Sequence, residues 1–173
     1  MNQRAGAVAF KGNPLTLLGD ELKVGDKAPG ASLLGNDLTE VRLPDVFASH
    51  RACVIATVPS LDTPVCDVEA RRFNSSAAAL GDDVAILAIS MDLPFAQARW
   101  CGAGGVEAVK TLSDHREAAF GMAYGVLIKE LRLLARTVFV VDRKGVIQYV
   151  QIVDEITAEP DYEAALKAVR DMA

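Results

Sequence analysis

The octapeptide Pro59-Ser60-Leu61-Asp62-Thr63-Pro64-Val65-Cys66 sets a cysteine where a thiol gains nucleophilic character. It reads as the exit of a strand, a helix N-cap and the first helical turn. With Thr63 as cap, Pro64 is the first helical residue, where a missing N–H costs nothing, and Cys66 is the third, among unpaired backbone N–H groups. Those donors and the positive helix end favour thiolate over thiol, and such settings bring a cysteine pKa from ~8.5 down to roughly 3.5–7.5. The neighbours Asp62, Asp67 and Glu69 work the other way, so a thiolate here needs a cation from elsewhere in the chain.

The elements that must position this cysteine are legible around it. Residues 52–58 form a continuous apolar, partly β-branched run, the pattern of a strand covered on both faces, and a helix over residues 64–80 follows, ended by Gly81-Asp82-Asp83. Residues 84–90 read as a second buried strand, which makes 52–90 a β-α-β unit with parallel strands and a right-handed crossover. Asp92 or Ser90 can cap a short helix over 93–101 that Gly102 stops, and a further helix covers 116–124. Residues 137–142 and 146–153 pair as a hairpin about Arg143-Lys144-Gly145, and 161–172 is a closing helix. Ahead of this core, two small hairpins turn at Gly12-Asn13-Pro14 and Gly35-Asn36-Asp37. The order is that of an α/β thioredoxin-like fold: a central mixed sheet flanked by helices, with an N-terminal β-hairpin extension. One domain is expected over 1–173, with β additions in 1–50 and the core in 51–173.

In that topology the third core strand lies antiparallel beside the first, so its start meets the first strand's end. Arg136 sits at that start and would face Cys66, offering a permanent charge and fixed donors for a thiolate and a polar oxygen substrate. The plainer alternative is a surface arginine capping the end of the segment at Ala135. Cys101 lies on the short helix that begins at the same sheet edge, about eight residues from its start, roughly 12 Å along the axis. A disulfide needs Cα atoms about 4.4–6.8 Å apart, so Cys66 and Cys101 need not be neighbours in the reduced chain. Joining them would take unwinding, for which Gly102, Gly104 and Gly105 are the natural place.

Composition narrows the function classes. The chain has 173 residues, 51% of them hydrophobic and 24% charged, as an ordinary globular protein has. A net charge of −5 without a basic run argues against a nucleic-acid partner. Residues 1–13 lack the apolar core of a signal peptide, and the longest apolar runs are strand-sized, so neither secretion nor membrane insertion is expected. Three cysteines in that context point to a reducing, cytoplasmic setting in which a disulfide is catalytic rather than structural. Cys53, inside the apolar strand, reads as a small buried hydrophobe, and Trp100 as packing. His50 and His115, the only histidines, stand far from the cysteines, which argues against zinc, and no cofactor is expected.

At these residues the chain resembles the thiol peroxidases of the atypical two-cysteine peroxiredoxin class. The segment 59–66 is similar to their P-S-x-D-T-x-V-C motif, and Asp92-Leu93-Pro94-Phe95-Ala96-Gln97-Ala98-Arg99-Trp100-Cys101-Gly102 to their D-L-P-F-A-Q-x-R-F-C-G segment. The likeness extends through Leu134-Ala135-Arg136 and residues 155–166 and departs at Trp100, where phenylalanine is usual, and at Ala103-Gly104-Gly105. The resemblance implies an antioxidant peroxidase acting on hydrogen peroxide and alkyl hydroperoxides. In it Cys66 is the peroxidatic sulfur, oxidised to a sulfenic acid, and Cys101 the resolving sulfur that joins it in an intramolecular disulfide. Thr63 and Arg136 position the peroxide, Pro59 shields the pocket from water, and a thioredoxin-type dithiol recycles the pair. A homodimer is also implied. Two rival classes use the same cysteine. A cysteine hydrolase needs a base that neither His50 nor His115 supplies, and a redox sensor would differ by oxidation without rapid turnover. A disulfide reductase would need a Cys-x-x-Cys pair, which the chain lacks.

Overall fold

A computed structural model describes residues 1–172. The chain runs β1 (Gln3–Phe10), β2 (Asn13–Leu18), β3 (Ser32–Leu34), β4 (Glu40–Arg42), α1 (Leu43–Ser49), β5 (Ala52–Thr57), α2 (Pro64–Leu80), β6 (Val84–Ser90) and α3 (Pro94–Gly104). It continues through β7 (Lys110–Ser113), α4 (Ala119–Ala123), β8 (Leu127–Ile128), β9 (Thr137–Asp142), β10 (Ile147–Ile152) and α5 (Tyr162–Asp171). Seven strands form the central sheet in the order β10-β9-β5-β6-β7-β3-β4. The β5, β6 and β7 strands are parallel, and β9 and β3 run antiparallel to their neighbours, so the sheet is mixed.

Alternation along β5 explains why each of its residues is buried. Cys53 and Ile55 face one core with Leu43 and Phe47 of α1, Phe120 of α4, Tyr124 and Phe139. Ala52, Val54 and Ala56 face the other with Phe73 of α2 and Tyr162, Leu166 and Val169 of α5. Each large apolar side chain so enclosed contributes about 1.5–3 kcal/mol. A strand apolar on both faces can only be central, and its C-terminal end is where the sheet delivers residues to a site.

The two N-terminal hairpins part company. β1 and β2, joined through Lys11 and Gly12 at positive φ, take β8 as a third strand and form a separate small sheet. β3 and β4 instead extend the central sheet beyond β7. Three further local differences from the sequence pattern have visible causes. The helix expected over 116–124 is shortened to α4 because the Asp114 carboxylate accepts from the N–H groups of Phe120 and Gly121 and Ala118 takes φ 52°. Asp92 does not cap α3; Leu93 holds the cap position, and Asp92 instead accepts from the Ser60 and Ser90 hydroxyls and the Leu61 N–H. Gly102 does not stop that helix, which ends at Gly105 in the left-handed region, φ 60°. Among the described residues no helix is long and apolar enough to cross a membrane.

Candidate active site

β5 ends at Thr57, and its register with β9 pairs Thr57 with Thr137, which brings Arg136 to the start of β9 beside the β5 exit. The chain then passes through Val58 and the buried Pro59 into α2, whose cap position is Thr63 and whose first residue is Pro64. Thr63 has the extended backbone of a cap (φ −92°, ψ 145°), but its side chain makes no capping bond. Its hydroxyl lies 2.6 Å from Cys66 Sγ and 3.1 Å from the Ser60 carbonyl. One hydroxyl carries one proton, so the two contacts alternate with the state of the sulfur. A thiol donates to Oγ1 while Oγ1 donates to Ser60; a thiolate takes the hydroxyl proton as a hydrogen bond of its own.

Arg136 Nη2 donates to Cys66 Sγ at 3.3 Å. The guanidinium is 1% exposed, which discards its reading as a surface arginine. Each of its nitrogens has a partner: Nε and Nη2 donate to the Ile156 carbonyl at 3.1 and 3.0 Å, and Nη1 to Glu69 Oε2 at 2.5 Å. Burial works against its charge, but Glu69 and Cys66 outweigh burial and raise its pKa further. Glu69, an acidic neighbour that was expected to oppose a thiolate, is itself buried and serves as the anchor of the cation. Its Oε1 has no partner, and burial pushes the carboxyl up to about 7 against the pull of Arg136. Helical geometry supplied the signal: Glu69 lies three positions after Cys66, on the same face of α2.

Ile156, which receives two of the guanidinium's nitrogens, is held by the N-terminal hairpin. Its N–H donates to the Ala9 carbonyl, and the Glu155 carboxylate accepts from the N–H groups of Lys11 and Gly12 at 3.0 Å each. Those bonds hold the Glu155 carboxyl well below the usual range, at about 2.

Cys66 is 0% exposed and packs with Val58, Leu61 and Trp100. Cys101 is elsewhere. Its sulfur, half-buried, lies 3.4 Å from Thr111 Oγ1 and 4.0 Å from Asn36 Nδ2, beside a cleft of about 500 Å³ lined also by Lys110 and Glu107. Thr111 in turn donates to Asn36 Oδ1 at 2.9 Å. All three cysteines are free thiols in this state. Pro59, Thr63, Cys66 and Arg136 thus gather at one sheet end, and Cys101 stands apart on α3. Burial pushes the Cys53 thiol up, out of reach of thiolate formation, so it is a core residue. His50 Nδ1 donates to the Val46 carbonyl and His115 contacts Ser113, so neither imidazole serves Cys66. Among the described residues no group of three metal-ligating side chains occurs.

This arrangement can stabilise a sulfur anion in a closed apolar pocket and leave the guanidinium beside any oxygen that the sulfur attacks. Comparison with known proteins agrees with that chemistry. The model of the redoxin family matches residues 23–166. A thiol peroxidase of Halalkalibacterium halodurans is 55% identical over 95% of this chain and 97% of its own, and one of Bacillus subtilis 53% identical over 94% and 96%. Among solved structures, a peroxiredoxin-like protein of Aquifex aeolicus superposes with a TM-score of 0.89 at 44% identity over 98% of both chains.

Proposed function

The chain belongs to the redoxin family and is a thiol-dependent peroxidase, and we propose that Cys66 is its peroxide-reacting sulfur and Cys101 its resolving one. The observation that carries the assignment is the pair of donors, Thr63 and Arg136, on a fully enclosed Cys66 sulfur. In the first step the Cys66 thiolate attacks one oxygen of a hydroperoxide. An S–O bond forms, the O–O bond breaks, and the departing oxygen takes a proton and leaves as water or an alcohol. Arg136 steadies negative charge on the attacking sulfur and the leaving oxygen, Thr63 orients the peroxide, and Pro59 keeps water out. In the second step Cys101 attacks the sulfenic sulfur, the S–S bond forms and hydroxide leaves as water with the Cys101 proton. A thioredoxin-type dithiol then returns both to thiols.

Three further readings accompany this one. Residues 1–173 act as one domain; the segment 1–50, expected as β additions to a core of 51–173, also contains α1, whose Leu43 and Phe47 lie in the core, and its first hairpin holds Ile156. The enzyme works as a homodimer, for which the exposed apolar Val68, Leu93 and Phe95 at the starts of α2 and α3 provide a face. It works in the cytoplasm, where three free cysteines stay reduced.

The test is peroxide consumption coupled to thioredoxin, thioredoxin reductase and NADPH. The wild type should cycle. Cys101→Ser should consume one equivalent of peroxide and stall, and recover only with an added small thiol. Normal cycling of that variant on thioredoxin would remove Cys101 from the mechanism.

A further inference from the structure

α3 is held in two different ways along its length. Its first half is pinned by Gln97, a buried side chain whose amide donates to the Ser90 hydroxyl at 3.0 Å and the Leu112 carbonyl at 2.9 Å. Its second half is fastened to α2 from the outside. Trp100 Nε1 donates to Asp67 Oδ1 at 3.0 Å, Arg71 Nε donates to Asp67 Oδ2 at 2.8 Å, and Arg71 Nη1 reaches across to the Gly104 carbonyl at 2.9 Å. The Arg71 guanidinium also lies 6.0 Å from the centroid of the Trp100 ring. Gly104 is part of the fit, because a Cβ there would stand 3.1 Å from Arg71 Nη2.

This fastening joins the residue after Cys66 to the residue before Cys101. Consecutive helical residues point about 100° apart. With the Trp100 ring against Val58, Leu61 and Cys66, Cys101 is therefore turned away, toward Thr111 and Asn36. Cys101 cannot approach Cys66 while Trp100 occupies that side. We propose that Asp67, Arg71 and Trp100 are positioning residues that hold α3 closed over Cys66 and set the rate at which Cys101 reaches the sulfenic acid. The inference rests on the Cys66–Cys101 pairing proposed above. The bonds of the clasp exist with α3 docked and must break before the S–S bond forms, so they stabilise the start of that step and not its end. While α3 stays docked, the sulfenic acid is open to a second peroxide molecule, whose O–O bond breaks to leave a sulfinic acid and water or alcohol. The strength of the clasp thus sets the share of enzyme lost to overoxidation.

Arg71 is exposed and Trp100→Phe keeps an aromatic ring in place, so both variants preserve the fold. Quenched-flow alkylation with mass spectrometry, after one equivalent of peroxide, follows the Cys66 sulfenic acid and the disulfide separately. In Arg71→Met and Trp100→Phe the disulfide step should run about threefold to tenfold faster, the change that one or two net hydrogen bonds can make. In Arg71→Met the first oxidation should keep its rate, and in both variants the sulfinic fraction at a fixed excess of peroxide should fall in proportion. A disulfide rate that is unchanged or slower in both variants overturns the proposal, as does a change of the first step by the same factor in Arg71→Met. A wild type that forms no Cys66–Cys101 disulfide overturns the pairing itself, and the clasp with it.

Discussion

Cys66 is shut away from water with a guanidinium and a hydroxyl on its sulfur, whereas Cys101 is half-buried at the edge of a polar cleft, its sulfur in polar contact with Thr111 and Asn36. The first has a fixed cation anchored by Glu69 and by the Ile156 carbonyl; the second has two neutral side chains as its polar partners and a helix end rich in glycine. The difference fits the order of the chemistry proposed above. A sulfur that must meet an oxidant needs its charge held before substrate arrives, because donors already in place need no reorganisation in the transition state. A sulfur that must travel to its target gains from contacts weak enough to leave.

The largest effect should come from removing the enclosed sulfur. Cys66→Ser offers a hydroxyl that is not ionised at neutral pH, and peroxide consumption should fall about a thousandfold or more. Retained turnover would mean the comparison had been drawn around the wrong cysteine. Arg136→Lys comes next, since it keeps charge but loses the planar fork that reaches sulfur, Glu69 and Ile156 at once. The first oxidation should slow about a hundredfold, measured by stopped flow, with little change in thermal stability. An unaltered rate constant would reduce Arg136 to a structural residue.

How far this contrast was legible beforehand depended on sequence distance. The β5-α2-β6 unit stood out because a fully apolar strand, a cap with proline after it and a second apolar strand are local patterns. Arg136 followed from topology, since an antiparallel neighbour of β5 must begin where β5 ends. What local pattern could not carry was partnership across the chain. Glu69 read as an opposing charge because its burial against Arg136 depends on a strand 67 positions away. Trp100 read as packing because its N–H partner, Asp67, sits on another helix. Asn36 read only as a turn residue and Thr111 not at all, as they meet Cys101 only when β3 and β7 join the same sheet. Short elements were missed for a related reason: α1, β7 and β8 are too brief to show a period.

The buried pair sharpens the comparison through pH. Burial raises the Glu69 carboxyl to about 7, above its ordinary value near 4.5. The folded protein therefore binds more protons than the unfolded chain between those values, and stability attributable to this group is present at low pH and lost as pH rises through about 7. Urea denaturation at pH 5 and pH 8 should show the wild type losing stability across that window more steeply than Glu69→Gln. Parallel profiles would show that Arg136 keeps the carboxylate ionised throughout.

The smallest expected effect tests whether the support of Cys66 reaches as far as the N-terminal hairpin. Glu155 ties the turn of β1 and β2 to the segment whose Ile156 carbonyl receives Arg136. Its carboxyl is held down at about 2, so its contribution is complete at neutral pH, begins to fade below about 4.5 and is lost as pH falls through about 2. Glu155→Gln replaces a charged acceptor of two N–H groups with a neutral one. If the hairpin steadies the arginine, the first oxidation should slow about twofold to threefold at pH 7 while the disulfide step keeps its rate, because no part of this chain of bonds touches α3. Equal slowing of both steps would mean that the substitution loosens the whole fold. A loss of stability with no kinetic change would mean that the hairpin holds Ile156 for the sake of the sheet, and that the preorganised side of the comparison ends at Glu69.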